Sequence, residues 1–154
     1  MDHWTTTKAC TGHDVWTENG PYLQDINGTY SAWLYGDASV RFIHEHTSRF
    51  ASQPMFLQAE FFVPHAPVNP GPPAQYYHPP FLNITDGVRS NYSGMVNSFD
   101  EGVANITNAL KQTGLWPNSI LVLFGDNGGA VPDGGRNWPM RQVLLLFWYC
   151  RDLN

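Results

Sequence analysis

The sequence predicts an α/β fold, in which helices pack against a sheet of mostly parallel strands. The apolar stretch at residues 55–63 and the five apolar residues at 120–124 both have the length and bounding turn signals of a buried strand. Between them, residues 89–113 carry apolar side chains at the intervals of an amphipathic helix. Strand, helix and strand in this order indicate a right-handed crossover unit.

The composition fits one loop-rich globular domain, or a piece of a larger one. Of the 154 residues, 42% are hydrophobic and 14% are charged, and 14 glycines and 12 prolines favour turns. The net charge of −5 and the presence of only eight lysines and arginines argue against a nucleic-acid partner. The longest apolar run, residues 143–150, is too short to form a transmembrane segment.

The first half of the chain is predicted to contain a loop at residues 1–28, a helix at about 31–46 and a proline-rich loop at 64–80. The apolar face of this helix is predicted from four-residue steps: Leu34, Ala38 and Phe42, with Ile43 beside them. The clearest helix, at about 89–113, ends at Gly114, the expected left-handed stop. Its predicted core-facing stripe is Tyr92, Met95, Val96, Phe99, Val103, Ile106 and Leu110.

The segment Gly125-Asp126-Asn127-Gly128-Gly129 follows the second predicted strand. Ligands of open α/β sheets bind beyond the carboxyl ends of the strands. A carboxylate and an amide carbonyl suit Ca²⁺ or Mg²⁺. Asp126 and Asn127 are therefore candidate metal ligands, although an ordinary Asp-Asn-Gly turn explains the same residues equally well.

Histidines occur in three segments where they could take part in chemistry. His65 follows the first predicted strand and is a candidate for proton transfer, although a histidine satisfied within a loop is the more frequent case. The imidazoles of His44-Glu45-His46 would point in different directions on a helix, so this segment is predicted to be a solvated helix end. The proline-rich loop also contains Tyr76, Tyr77 and His78. These residues either line the entrance to a substrate site or anchor the loop to the rest of the domain, and the second interpretation is favoured.

Four Asn-x-Ser/Thr sequons favour the secretory pathway. They begin at Asn27, Asn83, Asn91 and Asn105. No apolar signal-peptide core follows Met1, so we expect that the chain lacks its true beginning.

Taken together, these segments resemble the sulfatase family, most closely the arylsulfatase B type, over about residues 27–141. The matching segments, in the family's order, are Pro54-Met55-Phe56-Leu57, His65-Ala66-Pro67, residues 91–101, residues 105–111, residues 114–118, Asp126-Asn127-Gly128-Gly129 and Asn137-Trp138-Pro139-Met140-Arg141. Several spaced matches in one order make the resemblance specific.

The resemblance implies an alkaline-phosphatase-like α/β fold and hydrolysis of sulfate esters, including those of sulfated glycans, by a lysosomal or secreted intact relative. Asp126 and Asn127 would be two ligands of a Ca²⁺ ion that neutralises charge on the sulfate oxygens. His65 would contact the sulfate and assist departure of the alcohol. Residues 133–136 would form a loop near the substrate.

The chain departs from the family pattern at the nucleophile, a formylglycine made from the Cys or Ser of Cys-x-Pro-x-Arg. Neither Cys10 nor Cys150 lies in that motif, the paired aspartates that complete the metal site are absent, and no lysine follows Lys111. Residues 1–141 are therefore predicted to be the central portion of a catalytic domain, and residues 142–154 an atypical tail. We expect the chain alone to be inactive.

Two other functions stay open. A non-catalytic secreted glycoprotein, or binding module, with a sulfatase-like fold fits the sequons and the missing nucleophile. A phosphoester hydrolase of the same superfamily fits the metal ligands, but the ordered matches argue against it. In either case we expect poor solubility, because a sheet with few strands leaves its edges open.

Overall fold

The computed structural model describes residues 4–6, 11–13, 15–21, 26, 28–79 and 83–139. Within these ranges, the strands are β1 (Trp4–Thr6), β2 (Thr11–His13), β3 (Trp16–Thr17) and β4 (Gly20–Pro21). The helices are α1 (Ser31–Arg49) and α2 (Gly87–Gln112), and 3-10 turns occur at Ala74–Tyr76, Trp116–Asn118 and Val131–Asp133. Asn27, both cysteines and the predicted tail at 142–154 lie outside the described residues.

The amino-terminal residues form two short antiparallel ribbons, where a loop was predicted. β1 pairs with β2, and β3 pairs with β4. The second ribbon closes at Gly20, whose φ of 116° is a conformation that glycine adopts without steric cost. Threonine and tryptophan favour strands. The loop was predicted because glycine and aspartate, which favour turns, are also frequent in residues 1–28.

Helix α1 packs along α2 through small side chains. Its buried positions are Ser31, Ala32, Gly36, Ser39, Ile43 and His46. A Cβ atom added to Gly36 would lie 3.7 Å from the Gly102 Cα, so the two helix backbones approach closely there. The predicted apolar face is wrong at Ala38 and Phe42, which are exposed. The helix instead turns Gly36 and Ser39 toward the core, and the close approach leaves no room for a side chain as large as Phe42.

Helix α2 matches its predicted bounds to within two residues. The Asp86 carboxylate accepts a hydrogen bond from the Arg89 amide at 2.7 Å and caps the amino end. Gly114, with a φ of 75°, follows the carboxyl end, as predicted. Val96 of the predicted stripe is 39% exposed. The buried members of that stripe are Met95, Ile106 and Leu110.

Two apolar clusters form the core. The first consists of Tyr30, Ala32, Val63, Val68, Tyr76 and Met95, and the second of Ile43, Ile106, Ala109 and Leu110. Phe61 packs against both clusters, and its ring meets that of Phe99 edge to face at 5.2 Å. Because Val68 and Tyr76 belong to the first cluster, the proline-rich loop is closed onto α2.

The two predicted buried strands form no sheet among the described residues. Met55 and Leu57 pack against the second cluster, whereas Phe56 between them is 84% exposed. Residues 120–124 also alternate, with Leu121 and Leu123 half-buried and the other three exposed. The strand prediction is wrong for this part of the chain because a strand needs a hydrogen-bonded neighbour, and no described segment provides one. The described helices are also too short or too polar to cross a membrane.

Candidate metal-binding site

Asp126 and Asn127 lie in an exposed turn after residues 120–124. No hydrogen bond joins either side chain to the described part of the chain. Asn127 lines an open cavity of about 400 Å³ together with residues 128–132 and Asn137. The two hard oxygen donors fit a calcium ion, but they supply only part of the about six to eight ligands that Ca²⁺ takes.

No group of three His, Cys, Asp or Glu side chains that could hold a metal exists within the described ranges. The assignment of Asp126 and Asn127 as metal ligands therefore stays a prediction.

The loop that follows the candidate ligands folds back on itself. The amides of Asp133 and Gly135 donate to the Ala130 carbonyl oxygen at 3.1 and 2.9 Å. Gly134 has a φ of 90°, and a Cβ atom on Gly135 would come within 2.7 Å of the Gly129 carbonyl carbon. The sequence Gly134-Gly135 therefore makes this tight turn possible. The predicted substrate loop at 133–136 is part of it.

Asn137 closes this loop. The Gly129 amide donates to Asn137 Oδ1 at 2.8 Å, and Asn137 Nδ2 donates to the Gly129 carbonyl oxygen at 2.8 Å. The sequence showed Asn137 only as part of a matching segment and gave it no role. The Asn137 amide pairs with the backbone of a residue eight positions earlier. Such a pairing produces no periodic pattern in the sequence, so it could not be predicted.

Helix α2 holds the loop from the other side. The Arg89 guanidinium donates to the Gly134 carbonyl oxygen and lies 5.6 Å from the Tyr92 ring centre. A Cβ atom on Gly134 would lie 3.1 Å from the Arg89 Cα, so the loop sits directly on the first turns of the helix.

His65 is exposed in the turn that follows Val63. Its Nδ1 lies 2.6 Å from the Ala66 carbonyl oxygen, and since a carbonyl oxygen only accepts, Nδ1 carries the proton of this bond. Nε2 is then left for a ligand. The imidazole also contacts the Phe62 ring at 5.2 Å. No hydrogen bond or ring contact among the described residues brings His65 to the Asp126 turn.

Among the other histidines named above, His46 and His78 have local structural partners. His44 is exposed, as predicted, but the prediction of a solvated helix end is wrong for His46. His46 is buried, and its Nε2 lies 3.0 Å from the Gln53 carbonyl oxygen, which ties α1 to the following turn. The exposed His78 bonds through Nδ1 to the Pro79 carbonyl oxygen at 2.8 Å.

Tyr76 and Tyr77 anchor the proline-rich loop, as predicted. The buried Tyr76 hydroxyl accepts a hydrogen bond from Trp33 Nε1, and burial raises the pKa of Tyr76 to about 12. The Tyr77 hydroxyl donates to Asn91 Oδ1 at 2.6 Å, and Asn91 Nδ2 donates to Asn69 Oδ1 at 2.7 Å. The sequon asparagine Asn91 is therefore engaged at both ends of its amide.

The family model described as Sulfatase matches residues 2–143. The chain therefore belongs to the sulfatase family, as its sequence predicted. Arylsulfatase J of Mus musculus is 31% identical over 138 residues, which cover 89% of this chain and 22% of that protein. The uncharacterized sulfatase YdeN of Escherichia coli (strain K12) is 38% identical over 82 residues, which cover 53% and 14% respectively. N-acetylgalactosamine-6-sulfatase of Mus musculus is 27% identical, with 75% of this chain and 23% of that protein covered.

The crystal structure of Ps i-CgsB matches with a TM-score of 0.69 and 28% identity over 79% of this chain and 25% of that chain. The crystal structure of Ps i-CgsB in complex with k-i-k-neocarrahexaose gives the same values. These matches confirm the predicted alkaline-phosphatase-like sulfatase fold. The chain spans a quarter or less of the length of each of these relatives.

Proposed function

We propose that this chain supplies part of the active site of a sulfuric ester hydrolase of the arylsulfatase type. The family match over residues 2–143, which includes the open Asp126–Asn127 turn, carries this proposal. The whole enzyme would act on sulfate esters, with sulfated glycans as one candidate class. The relatives named arylsulfatase J and N-acetylgalactosamine-6-sulfatase support this substrate chemistry.

In the proposed site, Asp126 and Asn127 would supply two oxygen ligands to a Ca²⁺ ion. When bound, the ion supplies a positive centre that stabilises negative charge on the sulfate oxygens. His65 would contact the sulfate in its imidazolium form, with a proton on each ring nitrogen. It would then give the Nε2 proton to the departing alcohol oxygen and keep the Nδ1 proton in its bond to the Ala66 carbonyl oxygen. Residues 133–136 flank the substrate in this proposal.

The 154-residue chain contains no Cys-x-Pro-x-Arg, the motif that provides the family's formylglycine nucleophile. A partial metal shell also binds its ion weakly, because few ligands share the cost of dehydration. We therefore propose that the chain alone is inactive. Residues 1–141 would be part of a catalytic domain, and residues 142–154 a separate tail.

The proposed location of the whole enzyme is lysosomal or extracellular, with glycans on exposed sequons. Asn83 and Asn105 are both exposed and are the proposed acceptors among the described residues. Asn27 is a third proposed acceptor, outside the described ranges.

A hybrid enzyme tests the proposed function. Residues 55–139 replace the matching segment of a sulfatase whose turnover of an aryl sulfate is measured first. We expect the hybrid to keep Ca²⁺-dependent turnover and Asp126→Ala to lower kcat/KM at least about tenfold, because a metal ligand is lost. The matched control is Asn108→Ala, at an exposed position of α2.

Two outcomes would contradict the proposal. A folded hybrid without turnover, or one that Asp126→Ala leaves unchanged, would favour a non-catalytic binding module, the function that the missing nucleophile motif also fits. The isolated 154-residue chain is assayed in parallel, and measurable turnover by it would refute the proposed inactivity.

A further inference from the structure

The side-chain amide of Asn137 pairs with Gly129 as a neighbouring strand would. Its oxygen accepts from the Gly129 amide and its nitrogen donates to the Gly129 carbonyl oxygen, each at 2.8 Å. Two hydrogen bonds from one planar group fix both the position and the orientation of Gly129, whereas a single bond would leave rotation about it.

Gly129 lies only two residues after Asn127, so its placement restricts the candidate ligands. Because the peptide bond is planar, each residue has only two freely rotating backbone angles. Few such angles lie between Gly129 and Asn127, so fixing Gly129 restricts the position of the Asn127 backbone. Asn127 and Asn137 also line the same cavity of about 400 Å³. The side chain that fixes the loop and the side chain that offers an oxygen atom therefore face one space.

Other contacts hold the rest of the loop. The Arg89 guanidinium donates to the Gly134 carbonyl oxygen, and the Gly135 amide donates to the Ala130 carbonyl oxygen at 2.9 Å. Residues 129–137 thus form a ring that packs on α2, and the Asn137 amide holds its outermost residue, Gly129. Loss of that amide would release Gly129, next to the candidate ligands, while the Ala130–Gly135 bond and Arg89 would still hold the rest of the ring.

We propose that Asn137 is a positioning residue for the Asp126–Asn127 metal ligands and acts through its double hydrogen bond to Gly129. This inference rests on the calcium site proposed above. A fixed loop raises metal affinity because the ligands lose less conformational freedom when the ion binds. Removal of such a supporting group weakens metal binding by about tenfold to a hundredfold.

The experiment measures Ca²⁺ binding by titration to the hybrid enzyme described above, whose remaining sequence supplies the other metal ligands. Amide hydrogen exchange of the 154-residue chain is measured by NMR. Asn137→Ala is expected to weaken Ca²⁺ binding about tenfold or more, which corresponds to about 1.4 kcal/mol. The Gly129 amide should lose its protection, while the α2 amides keep theirs. Asn108→Ala, on the exposed side of α2, should change neither quantity.

A double-variant cycle separates positioning from a general loss of stability. If Asn137 acts through the ligands, its effect on Ca²⁺ affinity should shrink in a hybrid that also carries Asn127→Ala, because one of the oxygen atoms that it orients is gone. Asn137→Gln serves if Asn137→Ala unfolds the helices. It keeps an amide but displaces it by one methylene, so the same loss of affinity is expected.

Two results overturn the inference, and they differ. If the wild-type hybrid binds Ca²⁺ and the folded Asn137 variants bind it equally well, the positioning role is wrong and the calcium site stands. If the folded wild-type hybrid does not bind Ca²⁺, the calcium site itself is wrong, and the positioning role falls with it.

Discussion

One added methyl group at Gly102 tests the close packing at the centre of the helix pair. A Cβ atom there would lie 2.7 Å from Phe61 Cε1 and 2.9 Å from Cζ, closer than carbon atoms pack. The Phe61 ring cannot move aside freely, because it packs edge to face against Phe99. Gly36→Ala is the matched control, since its Cβ atom would meet its nearest neighbour, the Gly102 Cα, at an ordinary 3.7 Å.

Two opposing effects decide the sign of each change. Alanine in a helix interior is about 1 kcal/mol more favourable than glycine, whereas overpacking a core costs about 1–3 kcal/mol. At Gly36 only the first effect applies, so we expect the free energy of unfolding to rise by about 0.5–1 kcal/mol. At Gly102 the second effect is larger, and a net loss of about 1 kcal/mol is expected.

Urea unfolding, followed by far-ultraviolet circular dichroism, measures both variants against the unchanged chain. In the Gly102→Ala chain, Phe61→Leu should recover part of the loss, because the smaller side chain vacates the position that the methyl group needs. A Gly102→Ala chain as stable as Gly36→Ala would refute the reasoning, since the Phe61 contact would then have relaxed without cost.

Three further predictions concern pH, glycosylation and self-association. Burial raises the pKa of Tyr76 from 10.0 to about 12, which favours its neutral form in the folded chain. Urea unfolding should therefore show stability falling as pH rises from 10 to 12, and Tyr76→Phe should flatten that slope. Glycan mapping by mass spectrometry should find Asn105 modified and Asn91 unmodified, because the Asn91 amide already makes two side-chain hydrogen bonds. Val122→Lys should raise the monomer fraction in size-exclusion chromatography, because it interrupts the exposed apolar face of residues 120–124.

Each of these predictions has a result that contradicts it. Stability that stays level from pH 10 to 12 would mean that Tyr76 gains no protection from burial. A glycan on Asn91 would show that the bonds to Tyr77 and Asn69 do not exclude modification. For self-association the control is Asn118→Lys, which adds the same charge at an exposed position away from the apolar face and should leave the monomer fraction unchanged.

The long helix α2 could be predicted closely because its signals are local. Asp86 stands at the amino end, Gly114 follows the carboxyl end, and Met95, Ile106 and Leu110 lie on one stripe. The core-facing side of α1 could not be predicted in the same way. The contact of α1 with α2 depends on Gly36, which has no side chain and so lets the two backbones approach closely. A search for apolar side chains at helical intervals does not detect such a position.

Structural features that depend on a partner far away in the sequence could not be predicted from local residue patterns. Residues 55–63 and 120–124 carry the composition of buried strands, but pairing is a property of two segments, and no described segment pairs with either. For the candidate site, the turn at Asp126 and Asn127 could be predicted from residue chemistry. The bond between Asn137 and Gly129 joins a side chain to a backbone, so no pattern of residue types reveals it.

The ring of residues 129–137 has a consequence for how this region can vary among related proteins. Its two ends meet at one side-chain amide, so the chain enters and leaves the ring at the same place. Insertions or substitutions between residues 130 and 133 would then change the outline of the ring without moving the point where it joins the rest of the protein. We expect such a segment to diverge faster than its neighbours and to supply new contact surfaces while the adjacent candidate ligands, Asp126 and Asn127, keep their positions.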